Sequence, residues 1–162
     1  MLVLEGRPLG GCRGHEAGRA LLKQLYKAYL GQPMPQIEKT PLGKPFFPGH
    51  RVHFSISHTK GHVFCALADR PIGMDAEELT RKVDPRLAEK ILSPAEYAQY
   101  DAAGDKNRAL LTFWVLKEAA AKCSGLGLQG YPNHTNFSLA DTRVTERCGC
   151  LVAVIEETDH VI

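Results

Sequence analysis

The chain has 162 residues, 44% of them hydrophobic, enough to bury one core of its own. Lys+Arg 20 against Asp+Glu 18 gives a formal charge of +2 with no block of like charge, which argues against a dedicated nucleic-acid binder that gains affinity by releasing counterions. No apolar run approaches the ~20 residues that a membrane span needs, and MLVLEGRPLGG at the N-terminus lacks the basic region and long apolar stretch of a secretion signal, so the expectation is a cytoplasmic protein without a membrane partner.

EAGRALLKQLYKAYLG, residues 16–31, reads as an amphipathic helix with Leu21, Leu22, Leu25, Tyr29 and Leu30 on its apolar side and Gly31 as its stop. The Pro- and Gly-rich stretch that follows, up to His50, reads as loop. In RVHFSIS, Val52, Phe54 and Ile56 alternate with His53, Ser55 and Ser57, the pattern of a half-buried strand. HTKG then turns the chain, and HVFCALA returns as a second, wholly apolar strand of a hairpin.

IGMDAEE reads as a short strand, followed by a loop and a helix from about Pro85. SPAEYAQYD opens a further helix with Ser93 as N-cap, Pro94 at the first position and Glu96 at the third. The longest helix is expected over 106–123, with Ala109, Phe113, Leu116, Ala120 and Cys123 as its core stripe and Gly125 beyond its end. TNFSLAD and CLVAVIE read as two closing strands. A helix, an "FS" segment and an apolar strand occur twice, around 54–67 and 137–154, which suggests two similar α/β halves, 1–72 and 73–162, related by a pseudo-twofold.

Five cysteines, Cys12, Cys65, Cys123, Cys148 and Cys150, are scattered and odd in number, as free thiols are. A zinc site from Cys148, Cys150 and His134 has C-x-C spacing, a poor match to zinc fingers.

Asp75 and Glu77 are two apart on a strand and share a face. They are either a solvated strand end or half of a site for a hard cation such as Mg²⁺, which takes oxygen ligands. Trp114, Glu118 and Lys122 are spaced by four along one side of the long helix. That stripe is either an exposed Glu–Lys pair worth ~0.2–0.5 kcal/mol or a third carboxylate and a phosphate-binding cation. Ser57–His58 and Lys44 in LGKP are weak signals individually, since neither has the spacing of a serine-protease pairing or a phosphate-binding P-loop.

Taken in order, GKP, FSISH, IGMDAEE and FWVLKEAAAK followed by CSGLGL resemble the motifs of the 4′-phosphopantetheinyl transferase superfamily, over roughly residues 16 to 155. GKP and SH blocks on one chain resemble the monomeric surfactin-synthetase type, a pseudo-dimer of two α/β halves, here with a short N-terminal region. Met74 and Ala76 stand where branched residues are usual, and ILSPAEY where the family tends to a Phe-rich block.

The resemblance implies an α+β fold and an enzyme that moves 4′-phosphopantetheine from coenzyme A to a serine of an apo acyl or peptidyl carrier protein, releasing 3′,5′-ADP. It implies Mg²⁺ held by Asp75, Glu77 and Glu118, with Glu118 also the base and Lys122 the cation at the pyrophosphate. Lys39, Lys44, Ser57 and His58 would hold coenzyme A, and Arg7, Arg13, Arg19 or Lys23 are available to assist. Two other functions use the same residues: a non-catalytic carrier-binding relative and a Mg²⁺-dependent phosphohydrolase acting on a coenzyme A-like substrate.

Overall fold

The computed structural model describes residues 3–127 and 136–158. It is mixed α and β, in the order β1 (Val3–Pro8), α1 (Gly14–Leu30), β2 (Glu38–Lys39), β3 (Pro45–Phe46), β4 (His53–His58), β5 (His62–Ala68), β6 (Ile72–Glu78), α2 (Leu87–Ile91), α3 (Pro94–Ala102), α4 (Lys106–Ser124), β7 (Val144–Arg147) and β8 (Cys150–Glu156).

Two three-stranded antiparallel sheets carry the structure, ordered β1-β5-β4 and β6-β8-β7. Each arises from a strand, a long helix and a hairpin whose last strand takes the centre. Strand β5 faces two environments, which explains its unbroken apolar run. Val63, Cys65 and Leu67 pack under α1 with Leu22, Leu25 and Tyr26. Phe64, Ala66 and Ala68 pack the other way, against Ile72, Met74, Ala76 and Val152 of the second sheet. The two sheets therefore share one apolar layer, and fully burying a side chain such as Phe64 or Met74 stabilises by ~1.5–3 kcal/mol.

Strand β4 departs from the expected half-buried strand. Its polar side is covered too, because it runs beside β6. Ser55 Oγ accepts from Met74 N at 2.9 Å, and Ser57 Oγ accepts from Ala76 N at 3.1 Å. These hydroxyls accept the two β6 amides, and each buried serine oxygen thereby has a hydrogen-bond partner.

Helix α1 ends at Gly31, which has φ 68° and donates its N–H to Lys27 O. Its buried tyrosine is Tyr26; Tyr29 is 53% exposed, contrary to the expected apolar side, because the helix turns Leu22, Leu25 and Tyr26 onto β5. Ser93 and Glu96 form the expected capping box at α3. Helix α4 is buried on most of its circumference rather than along one stripe: between Ala109 and Ala121 only Trp114 and Glu118 escape full burial, and Cys123 is only partly buried. Sheet, α3 and loop enclose it, as a core helix requires.

The strand expected in TNFSLAD does not form. Thr135 lies outside the described residues, and 136–141 are loop and turn. The outer strand is VTER, residues 144–147, which pairs with β8 from Val144↔Ala153 to Arg147↔Cys150. The recurrent "FS" therefore does not mark equivalent strands, although both halves share one topology. Strand β1 was not anticipated either; it pairs antiparallel with β5, Val3↔Leu67 to Pro8↔His62.

Candidate active site

Gly73 fixes the approach of α4 to β6. A Cβ built there would lie 1.9 Å from Ala119 O and 2.3 Å from Cys123 N. Only hydrogen fits, so helix and strand backbones touch, and the side of α4 bearing Glu118 and Lys122 lies beside Asp75.

Asp75 is 7% exposed, which removes the solvated-strand alternative for this residue. Its Oδ1 accepts from Lys122 Nζ at 2.8 Å and from Ser57 Oγ at 3.2 Å. Lys122 also donates to Met74 O at 3.1 Å. The second oxygen, Oδ2, is buried with no hydrogen-bond partner. A buried carboxylate oxygen left this way costs roughly 1–3 kcal/mol or more, so it is the atom of the site that lacks a cation or donor.

Glu77 pairs with Arg81, four residues on in the loop after β6, and Arg81 lies over the Trp114 ring, 6.0 Å from its centroid. Burial pushes the Glu77 carboxyl above the usual range, opposed by Arg81, reinforced by Asp75, and opposed again by hydrogen bonds from Trp114 and Arg81. Glu118 is raised as well, first by burial and then by Asp75; Lys122 opposes, Glu77 adds, and Arg81 opposes. The three carboxylates therefore feel one another. Their oxygens are not gathered within 4.8 Å, a spacing that His62, Glu78 and Cys150 do meet. Trp114 is thus a platform for Arg81, a residue the sequence motifs did not single out.

The carboxylates stand between two clefts. One, about 330 Å³, is lined by Lys44, Ser55, Ile56, Glu118, Lys122 and Gly125 among others. The other, about 780 Å³, is lined by His58, Thr59, Lys60, Glu77, Glu78 and Arg81 among others. Each is lined both by residues that precede β6 and by residues from β6 onward.

The four residues expected to hold coenzyme A are dispersed. Lys44 Nζ donates to Cys123 O at 2.5 Å, at the C-terminal end of α4, where a cation complements the helix dipole. Burial lowers the Lys44 ammonium pKa, and Cys123 and Glu157 act against this. Ser57 is buried and bonded to Asp75, and His58 faces the second cleft. Lys39 is exposed on β2 and lines neither cleft.

Lys117, beside Glu118, faces the other way. Its Nζ lies 2.8 Å from Glu96 Oε1, and both side chains are almost wholly buried. Glu96 also accepts from Ser93 N and Phe137 N. The glutamate of the capping box thereby anchors α3, α4 and the 137 loop together. The i+3 pattern gave the cap, but no sequence signal gave Lys117 as its partner.

Asp75, buried, and Glu77 and Glu118, partly buried, thus stand with Lys122 on a strand and a helix that one glycine holds in contact. Residues 71–156 match the profile of the 4′-phosphopantetheinyl transferase superfamily, and the chain belongs to that family. It is similar to the 4′-phosphopantetheinyl transferase gsp of Aneurinibacillus migulanus, 30% identical over 115 residues, 68% of this chain and 48% of that protein. It is similar to the 4′-phosphopantetheinyl transferase Sfp of Bacillus subtilis, 37% identical over 90 residues, 53% of this chain and 39% of that protein. With psf-1 of Bacillus pumilus it shares 31% identity over 118 residues, 68% of this chain and 49% of that protein. The chain spans about half the length of the curated relatives it matches. Among the described residues, no helix is long and apolar enough to cross a membrane.

Proposed function

We propose that the protein transfers 4′-phosphopantetheine from coenzyme A to a serine hydroxyl of an apo carrier protein, with Mg²⁺. The observation that carries this is Asp75 Oδ2, buried and unpartnered beside Glu118 and Lys122, within the stretch 71–156 that matches the family. The donor set fits a hard cation: Asp75, Glu77 and Glu118 supply oxygens only, and their mutual repulsion disfavours three charges there without one. When bound, Mg²⁺ would neutralise charge on the coenzyme A pyrophosphate.

The chain's own residues supply the rest. Glu118, partly buried beside Asp75 and Lys122, is assigned as the general base. It takes the proton of the carrier serine as the serine oxygen bonds to the phosphorus of the phosphopantetheine arm. The bond from that phosphorus to the oxygen of 3′,5′-ADP breaks, and 3′,5′-ADP leaves. Lys122 turns its ammonium from Asp75 toward the negative charge that develops on the leaving phosphate. Ser57 orients Asp75. Lys44, Lys39 and His58 are assigned to the coenzyme's phosphates, with Lys44 in the smaller cleft. The two halves, alike in topology, are read as a pseudo-twofold pair divided ahead of β6, in a monomer.

The test is mass spectrometry of an apo acyl carrier protein incubated with coenzyme A, Mg²⁺ and the protein. The expected result is a carrier heavier by one phosphopantetheine, with turnover at least tenfold lower for Glu118→Asp, since a ~1 Å retreat of a reacting group costs up to ~10²-fold. Carrier binding without a mass gain would favour the non-catalytic reading. Coenzyme A cleavage without a carrier would favour the phosphohydrolase.

A further inference from the structure

We propose that His62, Glu78 and Cys150 form a second cation site, separate from the acidic trio and suited to Zn²⁺, which ties the first half of the molecule to the second. His62 opens β5, Glu78 ends β6 and Cys150 opens β8. Glu78 and Cys150 are register partners. His62 Nδ1 lies 3.6 Å from Glu78 Oε1 and 3.9 Å from Cys150 Sγ, and one ligand atom from each residue falls within 4.8 Å of the others. Around a tetrahedral zinc with bonds of ~2.0–2.3 Å, ligand atoms stand about 3.3–3.6 Å apart. The triangle is slightly open for such an ion and closes by small side-chain motions.

The carboxylate is already oriented. Glu78 Oε1 accepts from Gly61 N at 2.8 Å and from Thr59 Oγ1 at 2.9 Å. A Cβ at residue 61 would sit 2.9 Å from that oxygen, so the glycine leaves the room the carboxylate occupies. Backbone and hydroxyl donors behind a ligand are the usual means of aiming it. The hairpin turn at 148–149 is held over the same end of β6, with Leu79 N donating to Gly149 O at 3.0 Å.

The chemistry separates this site from the other. Nitrogen, sulfur and oxygen donors together suit a borderline-soft ion, whereas Mg²⁺ takes oxygen alone. Neighbours on a strand face opposite sides, so Glu77 meets Trp114 and Arg81 while Glu78 meets His62 and Cys150. Of the residues in the poorly matching C-x-C set, only Cys150 belongs to this group; His134 lies outside the described residues, and the histidine here is His62, distant in sequence. On binding, the Cys150 thiol gives its proton to solvent and coordinates as thiolate. Solvent or substrate can complete the fourth position.

The test is calorimetric titration of ZnSO₄ into the reduced, chelator-stripped full chain, with excess Mg²⁺ present to block the acidic trio. One Zn²⁺ per chain is expected, with a raised Tm. His62→Ala and Cys150→Ser are each expected to weaken binding at least tenfold, and Glu118→Gln to leave it unchanged. Cys150 is buried, so Co²⁺ added to the unmutated chain gives a check that needs no variant: a thiolate-to-cobalt charge-transfer band supports the site. Binding that survives His62→Ala, binding lost in Glu118→Gln, or a cobalt spectrum with no thiolate band would each overturn it.

Discussion

Gly73→Ala tests how the site is assembled, because it adds one methyl where strand meets helix. The new Cβ would stand 1.9 Å from Ala119 O and 2.8 Å from Cys123 Cα. Ordinary contacts begin near 3.4 Å, so α4 and β6 must part by more than 1 Å. Overpacking of this kind costs about 1–3 kcal/mol, and occasionally more. For a chain of this size each kcal/mol lowers Tm by roughly 2–4 °C, so a fall of about 2–12 °C is expected by calorimetry. The same shift moves Glu118 and Lys122 relative to Asp75, and a ~1 Å misplacement costs up to ~10²-fold in rate. Turnover in the carrier assay is therefore expected to fall more than a stability loss alone explains, measured at a temperature where the variant is still folded. A variant with unchanged Tm and unchanged turnover would refute both the close approach and its role in aligning the site.

Lys117→Ala is expected to destabilise by about 3–5 kcal/mol, the usual cost of stranding one partner of a buried ion pair, here Glu96; a Tm within 2 °C of the parent, on the ~2–4 °C per kcal/mol scale, would show the pair to be inessential. Glu118→Gln should raise Tm at neutral pH without Mg²⁺. The carboxyl of Glu118 is raised in the folded state, so the stability it contributes is full below its ordinary pKa of ~4.3 and is lost as pH climbs through the raised value. The variant removes that decline, and identical Tm–pH curves for the two proteins would contradict it. Lys44→Ala should weaken coenzyme A more than dephospho-coenzyme A in a binding titration, and equal losses would take Lys44 away from the 3′-phosphate.

Much of the molecule was legible in the residues. Periodicity gave α1, β4, β5, β6 and α4 within a few residues, since a stripe at 3.6 or an alternation at 2 is a local property. Ser93, Pro94 and Glu96 gave the α3 cap for the same reason. Four-residue spacing gave the line of Trp114, Glu118 and Lys122, because one helix decides it. Non-local packing decided the rest. VTER has no apolar alternation to announce an edge strand; β8 recruits it through a two-residue turn. Tyr26 rather than Tyr29 is buried because β5 lies at that angle to α1. The serines of FSIS are buried because the edge of a second sheet, 19 residues on, places its amides against their hydroxyls. Lys117 meets Glu96 only once α4 packs against α3, and His62 meets Glu78 and Cys150 only once β5 lies against β6 and β8. A motif names residue types at fixed spacing along one element. Which charges end up buried, paired or left without a partner depends on the elements that close around them, and so Asp75 Oδ2 became visible only in the tertiary structure.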